Sequence, residues 1–183
     1  MLVRLDNISD GDALVLAGSI PKTLPDDMYE IILKRISSKK IKTVVDATGD
    51  LLKNVLKYKP FLIKPNNFEL GEIFGRELKT HDEISECAYE LQRMGAQNVL
   101  VSMAGDGAVL IDENGVKHFC PAAESKVKNS VGAGDSMVAG FIAGLHTGDY
   151  EYALRLGTAA GGATAFSDGL ATKDEIYLLL KNF

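Results

Sequence analysis

The chain has no apolar run long enough to span a bilayer and no charged-then-apolar leader. It is therefore expected to work in the cytoplasm, with no membrane as partner. It has no basic excess. A net charge of −5 leaves nothing to displace counterions from a phosphate backbone, which excludes a nucleic-acid surface. Cysteine is scarce, and Cys87 and Cys120 lie far apart without a spacing pattern, as reduced, packed thiols do. The histidines, His81, His118 and His146, are scattered and form no metal-ligand spacing. There is no G-x-x-x-x-G-K-[ST] loop. Gly132-Ala133-Gly134-Asp135-Ser136-Met137 starts like a dinucleotide fingerprint, but puts Met where Gly or Ala is needed and does not open a βαβ unit. That excludes a dehydrogenase. Repeats, linkers and low-complexity segments are also absent. The 183 residues, 46% of them hydrophobic, suffice for one globular domain with a real core.

What is present centres on Asn129-Ser130-Val131-Gly132-Ala133-Gly134-Asp135-Ser136. This polar, glycine-rich turn runs into the apolar segment 137–145, which reads as a buried helix. Such a turn leaves backbone N–H groups unpaired at the helix start, where the helix dipole adds partial positive charge. Phosphate suits that geometry. Gly132 and Gly134 lack a Cβ and admit a bulky anion close to the backbone. Asp135 then places a carboxylate beside the anion site. A carboxylate repels phosphate, so binding alone does not account for it. A role as the base that takes a proton from an attacking hydroxyl does. First-turn stability is the competing account.

Residues 1–8 look like the end of a helix that lacks a start, with Leu2, Leu5 and Ile8 at helical spacing. Residues 13–17 form a continuous apolar run, expected to be a strand covered on both faces. A helix is predicted over 24–38, burying Met28, Ile31, Ile32, Arg35 and Ile36. Strands are predicted at 42–46, 61–63 and 98–102, and helices at 51–56, 66–74 and 82–94. A hairpin joins 108–111 to 116–119 through Asn114-Gly115. Helices over 133–146, 150–166 and 173–181 close the chain. Strands alternating with helices imply an α/β layered domain with a largely parallel sheet. Ligands in such sheets sit beyond the carboxyl ends of strands, which directs attention to the loops 18–21, 46–49, 64–69, 102–107 and 129–135.

In Lys64-Pro65-Asn66-Asn67-Phe68-Glu69, Asn66 and Glu69 share one helix face. An amide and a carboxylate there would orient Mg²⁺ waters and phosphate oxygens; a capping box is the structural alternative. Ser102, Gly105 and Gly107 lie in a turn able to hold nucleotide phosphates, or simply in a tight turn. The small residues of 157–162 require a close neighbour, either a helix or a flat ring such as adenine.

Taken together these stretches resemble the ribokinase-like, PfkB-type sugar kinases. Val131 to Phe141 reads as the family's second signature, and L-A-G-S-I-P, V-V-D-A-T-G, K-P-N-N-F-E-L and S-M-A-G-D-G fall in the family's order. The resemblance implies a three-layer α/β/α fold and ATP-dependent phosphorylation of a ketose phosphate. Fructose 1-phosphate, converted to the 1,6-bisphosphate, is the first candidate and tagatose 6-phosphate the near alternative. It makes Asp135 the general base, and the N–H groups of Gly132, Ala133 and Gly134 the anion hole. It gives Asn66 and Glu69 to water-mediated Mg²⁺, and Ser102, Gly105 and Gly107 to ATP. Gly18 and Ser19 go to the sugar phosphate. Position 104, commonly Gly in the family, is Ala here. The family's N-terminal region, with its diglycine motif and lid, has no counterpart in this sequence. Residues 1–183 therefore read as the C-terminal, nucleotide-binding part of a kinase, expected to be inactive alone. An exposed sheet edge in such a chain is a candidate for pairing with a second copy.

Overall fold

A computed structural model describes residues 2–183; Met1, and the side chains of Leu2, Val3 and Arg4, lie outside the described residues. The chain forms two compact units, Met1–Leu100 and Val101–Phe183. Six strands run in the order β1-β2-β3-β4-β5-β6.

In the first unit, β1 (Ala13–Ala17), β2 (Lys42–Asp46) and β3 (Leu62–Ile63) are parallel neighbours, and β3 pairs in parallel with the start of β4 (Asn98–Ser102). Val44, Val45, Leu62, Ile63, Val99 and Leu100 are fully or almost fully buried, as a parallel sheet covered on both faces requires. Around these strands come α1 (Met28–Ile36), α2 (Gly49–Val55), α3 (Asn67–Phe74) and α4 (His81–Arg93). Thr80 caps α4 with a reciprocal Glu83 bond, and Cys87 and Ala88 lie on its buried face.

Two expectations fail here. Strand β1 is not covered on both faces: Ala13, Val15 and Ala17 are exposed and only Leu16 is buried. An unbroken apolar run reads as buried, but β1 ends the strand order, with β2 as its neighbour. Helix α1 begins at Met28, not in the Leu24-Pro25-Asp26-Asp27 stretch, which stays in turns. Its buried stripe contains Tyr29 and Leu33, while Arg35 points to solvent and pairs with Asp6 at 2.8 Å. Residues Leu2–Asn7 form a 3₁₀ turn whose end is held by Lys39, whose ammonium donates to the carbonyls of Leu5, Asp6 and Ile8.

In the second unit, β5 (Ala108–Ile111) and β6 (Lys117–Cys120) form the antiparallel hairpin, with Asn114-Gly115 at the turn. Helices α5 (Ala133–Gly144), α6 (Tyr150–Phe166) and α7 (Lys173–Leu180) follow. The small residues of α6 receive a helix. A Cβ on Gly157 would lie 2.9 Å from the Met137 carbonyl, and one on Gly161 3.1 Å from the Ala133 carbonyl. Gly140 and Gly144 of α5 face Ala160 and Ala153 equally closely. Cys87 and Cys120 are free and buried, as expected.

Candidate active site

Within the first unit, the candidate residues lie at the carboxyl ends of β1, β2 and β3. After β1, Gly18 takes a left-handed φ of 85°, donates its N–H to the Asp46 carbonyl at 3.1 Å, and accepts from the Tyr29 hydroxyl at 2.9 Å. Ser19 follows, exposed. At the ends of β2 and β3, the Lys64 ammonium sits 3.3 Å from an Asp46 carboxylate oxygen, with Lys64 buried. Burial, and then the Asp46 charge, push the Tyr29 phenol above its ordinary pKa. None of Tyr29, Asp46 and Lys64 was singled out from the sequence. The signal was there: V-V-D and L-I-K each end a strand on a charge, in loops where a ligand belongs.

Immediately beyond Lys64, Asn66 and Glu69 form a capping box. The Asn66 side-chain oxygen accepts from the Glu69 N–H at 2.8 Å, and a Glu69 oxygen accepts from the Asn66 N–H at 2.8 Å. The structural alternative is therefore real. It engages one oxygen on each side chain, and leaves the Asn66 amide NH₂ and the second Glu69 oxygen without a partner among the described residues. Those atoms are left over by the cap, so the capping box does not preclude a water-mediated Mg²⁺ contact.

The second unit holds two candidate loops of its own. After β4, Met103 donates to Gly107 at 2.8 Å and closes a turn around Ala104–Asp106. Gly107 is obligatory, because a Cβ there would collide with the Cys120 carbonyl oxygen. Gly105 is different, since a Cβ on it would meet nothing within 4 Å. Ser102, half-buried, precedes the turn. Ala104 sits at φ 49°, the left-handed region that glycine adopts freely. The turn geometry thus explains why a relative would carry glycine there.

The second loop is the anion turn. Lys128 and Asn129 donate their N–H groups to the Ala165 carbonyl, and the Asn129 side chain accepts from Val131, which holds the loop to the end of α6. Gly132, at φ 81°, is the N-cap of α5 and supplies no side-chain cap. Ala133 already donates to the Ser130 carbonyl at 3.1 Å, so its N–H is not an open donor as expected. The N–H groups of Gly132, Gly134 and Asp135 have no acceptor among the described residues. Asp135 is exposed, and its carboxylate has neither hydrogen bond nor ion pair among the described residues. Ser136 is fixed from behind by Thr164, whose hydroxyl donates to its Oγ at 2.8 Å. The turn offers bare donors and an uncommitted carboxylate.

In the first unit the loops after β1, β2 and β3 stand at the carboxyl ends of parallel strands, the arrangement of an α/β protein. Residues 1–176 match the pfkB family carbohydrate kinase model, and the chain belongs to that family. It is 44% identical over 180 residues to the 1-phosphofructokinase of Bacillus subtilis, spanning 98% of this chain and 59% of that protein. It is 38% identical to the D-tagatose-1-phosphate kinase of Bacillus licheniformis, over 93% of this chain and 56% of the relative. Among solved structures, phosphofructokinase-2 of Escherichia coli superposes with a TM-score of 0.91 at 28% identity, covering 99% of this chain and 60% of that one. The chain thus spans about three-fifths of the length of these relatives. Among the described residues no helix is long and apolar enough to cross a membrane.

Proposed function

We propose that this chain carries the nucleotide-binding and base-bearing part of an ATP-dependent, cytoplasmic ketose-phosphate kinase. The observation that carries this reading is the unpaired Asp135 carboxylate in the first turn of α5, beside the open N–H groups of Gly132 and Gly134. In the reaction, the acceptor hydroxyl gives its proton to Asp135. Its oxygen forms the bond to the γ-phosphorus of ATP as the bond to the ADP oxygen breaks. The Gly132 and Gly134 donors take up charge on the phosphoryl oxygens in flight, where one such donor is worth on the order of 10²–10³ in rate. Gly105 leaves room beside its backbone for the nucleotide, and Ser102 offers a hydroxyl. Asn66 and Glu69 would hold Mg²⁺ through water; when bound, the ion supplies positive charge to the phosphates. Gly18 and Ser19 face the sugar phosphate.

The relatives' names point to ketoses phosphorylated at carbon 1, fructose 1-phosphate and tagatose 1-phosphate. The alternative expected from the sequence is tagatose 6-phosphate; the names of these relatives favour a 1-phosphate. Because the chain spans three-fifths of its relatives, a second reading is a module that binds ATP without turnover. Calorimetry with an ATP analogue and Mg²⁺, followed by ³¹P NMR with ATP and each ketose 1-phosphate, separates the two. The 183-residue chain is expected to bind nucleotide and to transfer little. In a polypeptide of the relatives' full length, Asp135→Asn should keep nucleotide affinity and lower kcat on the order of 10³-fold. Undiminished transfer by that variant would remove Asp135 from the chemistry.

A further inference from the structure

A pocket at the opposite end of the first unit's sheet stands apart from the kinase reading. It is a cavity of about 290 Å³ between the C-terminal part of α1, the start of β2 and the turn that follows α2. Its lining comes from residues 33–59 alone. Thr43, at the amino end of β2, lies about 10 Å along the strand from Asp46. Leu33, Ile36 and Ile41 give the pocket apolar walls. Lys39, Lys57 and Lys59 also line it, and no carboxylate is among the described residues that do. Residues 34–59 carry eight basic side chains and two acidic ones, in a protein of net charge −5.

The carboxylates near these cations are already engaged. Glu30 pairs with Lys57, and Asp6 accepts from two guanidinium nitrogens of Arg35. The Lys39 ammonium is held by the neutral carbonyls of Leu5, Asp6 and Ile8, which fix its place and leave its charge intact. The Lys59 ammonium and the hydroxyls of Thr43 and Tyr58 have no hydrogen bond among the described residues. Lys59 also stands at φ 52°, a left-handed conformation in which glycine or asparagine would be less strained.

We propose that this pocket binds a small organic phosphate, a phosphomonoester with an apolar body. The body lies against Leu33, Ile36 and Ile41. The dianionic end takes donors from Lys59, Thr43 and Tyr58, in the field of Lys39. Charge selects phosphate over carboxylate, because the uncancelled cations Lys39 and Lys59 match a dianion with several acceptor oxygens.

Phenyl phosphate, benzoate and inorganic phosphate test this on the 183-residue chain carrying ¹³C-labelled isoleucine methyls. Phenyl phosphate should shift the Ile36 and Ile41 methyls and the Lys59 amide saturably. It should bind about tenfold more tightly than benzoate, which has the body without the second charge, or inorganic phosphate, which has the charge without the body. Lys59→Ala should weaken phenyl phosphate binding about tenfold, the worth of one charge-assisted hydrogen bond. Thr43→Val keeps the shape, loses the hydroxyl and should weaken binding severalfold, which serves if the first variant misfolds. Four results overturn the proposal. They are no saturable shift at these three residues, inorganic phosphate or benzoate binding as tightly as phenyl phosphate, unchanged affinity in both variants, and loss of the Ile36 and Ile41 shifts in a labelled polypeptide of the relatives' full length.

Discussion

Two helix starts in this molecule answer the same physical problem in opposite ways. At α3, Asn66 and Glu69 satisfy each other's backbone N–H groups, as Thr80 with Glu83 and Thr172 with Glu175 do at α4 and α7. At α5, the capping position is Gly132, which has no side chain to give, and three backbone donors stay open. A side-chain cap is worth about 1 kcal/mol. The α5 start forgoes that stability and leaves its partial positive charge unmet by any side-chain cap. The comparison also shows what separates α3 from α4 and α7. Its cap stands just beyond the carboxyl end of a strand, the place where ligands bind in sheets of this kind.

The contrast is broken most severely at Gly132. Gly132→Ala forces an alanine into φ 81° and brings a methyl within 2.8 Å of Leu170 Cδ2. In the full-length polypeptide it should lower kcat on the order of 10²–10³-fold. Calorimetry should show weakened nucleotide binding at the same time. Closing the cap difference from the other side is milder. Asn66→Ala and Thr80→Ala should each cost about 1 kcal/mol in urea unfolding. Only Asn66→Ala should also raise the Mg²⁺ concentration needed for half-maximal nucleotide binding. Equal effects of the two on Mg²⁺ dependence would reduce Asn66 to a cap.

A third carboxylate, Asp112, calibrates what a fully committed side chain does. Burial pushes its pKa up, but the hydrogen bond from His118 and the N–H groups of Val116 and Asn114 outweigh burial and hold it below the ordinary value of 3.8. A depressed pKa stabilises the fold above that ordinary value, and the contribution is lost as pH falls through the folded-state pKa. Urea midpoints should therefore fall between about pH 5 and about pH 2, and His118→Ala should flatten that fall. The smallest expected effect is at Ala104. Ala104→Gly relieves a left-handed alanine and should stabilise the chain by about 1 kcal/mol in thermal unfolding, with little change in nucleotide affinity.

Much of this was legible in the residues. Strands β2, β4 and β5 and helix α6 fall at their expected bounds, because each pairs a strong apolar pattern with clear turn residues. Strand β1 was misread, since an apolar run reports hydrophobicity and not which neighbours exist. The α1 start was misread because Leu24 and Pro25 continue the pattern while the chain remains in turns. At the candidate site, glycine spacing pointed to the turn before α5. It did not reveal that the Ala133 N–H is taken by Ser130, a backbone bond that no side chain encodes. The Lys64–Asp46 pair was invisible for a related reason, since it joins two strand ends eighteen positions apart in sequence that only the sheet register brings together.

The glycine seam between α5 and α6 has a consequence for where damage to the site can originate. With Gly140, Gly144, Gly157 and Gly161 letting the two backbones nearly touch, α6 acts as a rail that sets the aim of α5. A methyl added at Gly157 or Gly144 lies away from the turn before α5, yet it would tilt that rail and move Asp135 with it. Variants deep in this seam should then look like active-site lesions in an assay while mapping, in space, to the middle of a helix pair.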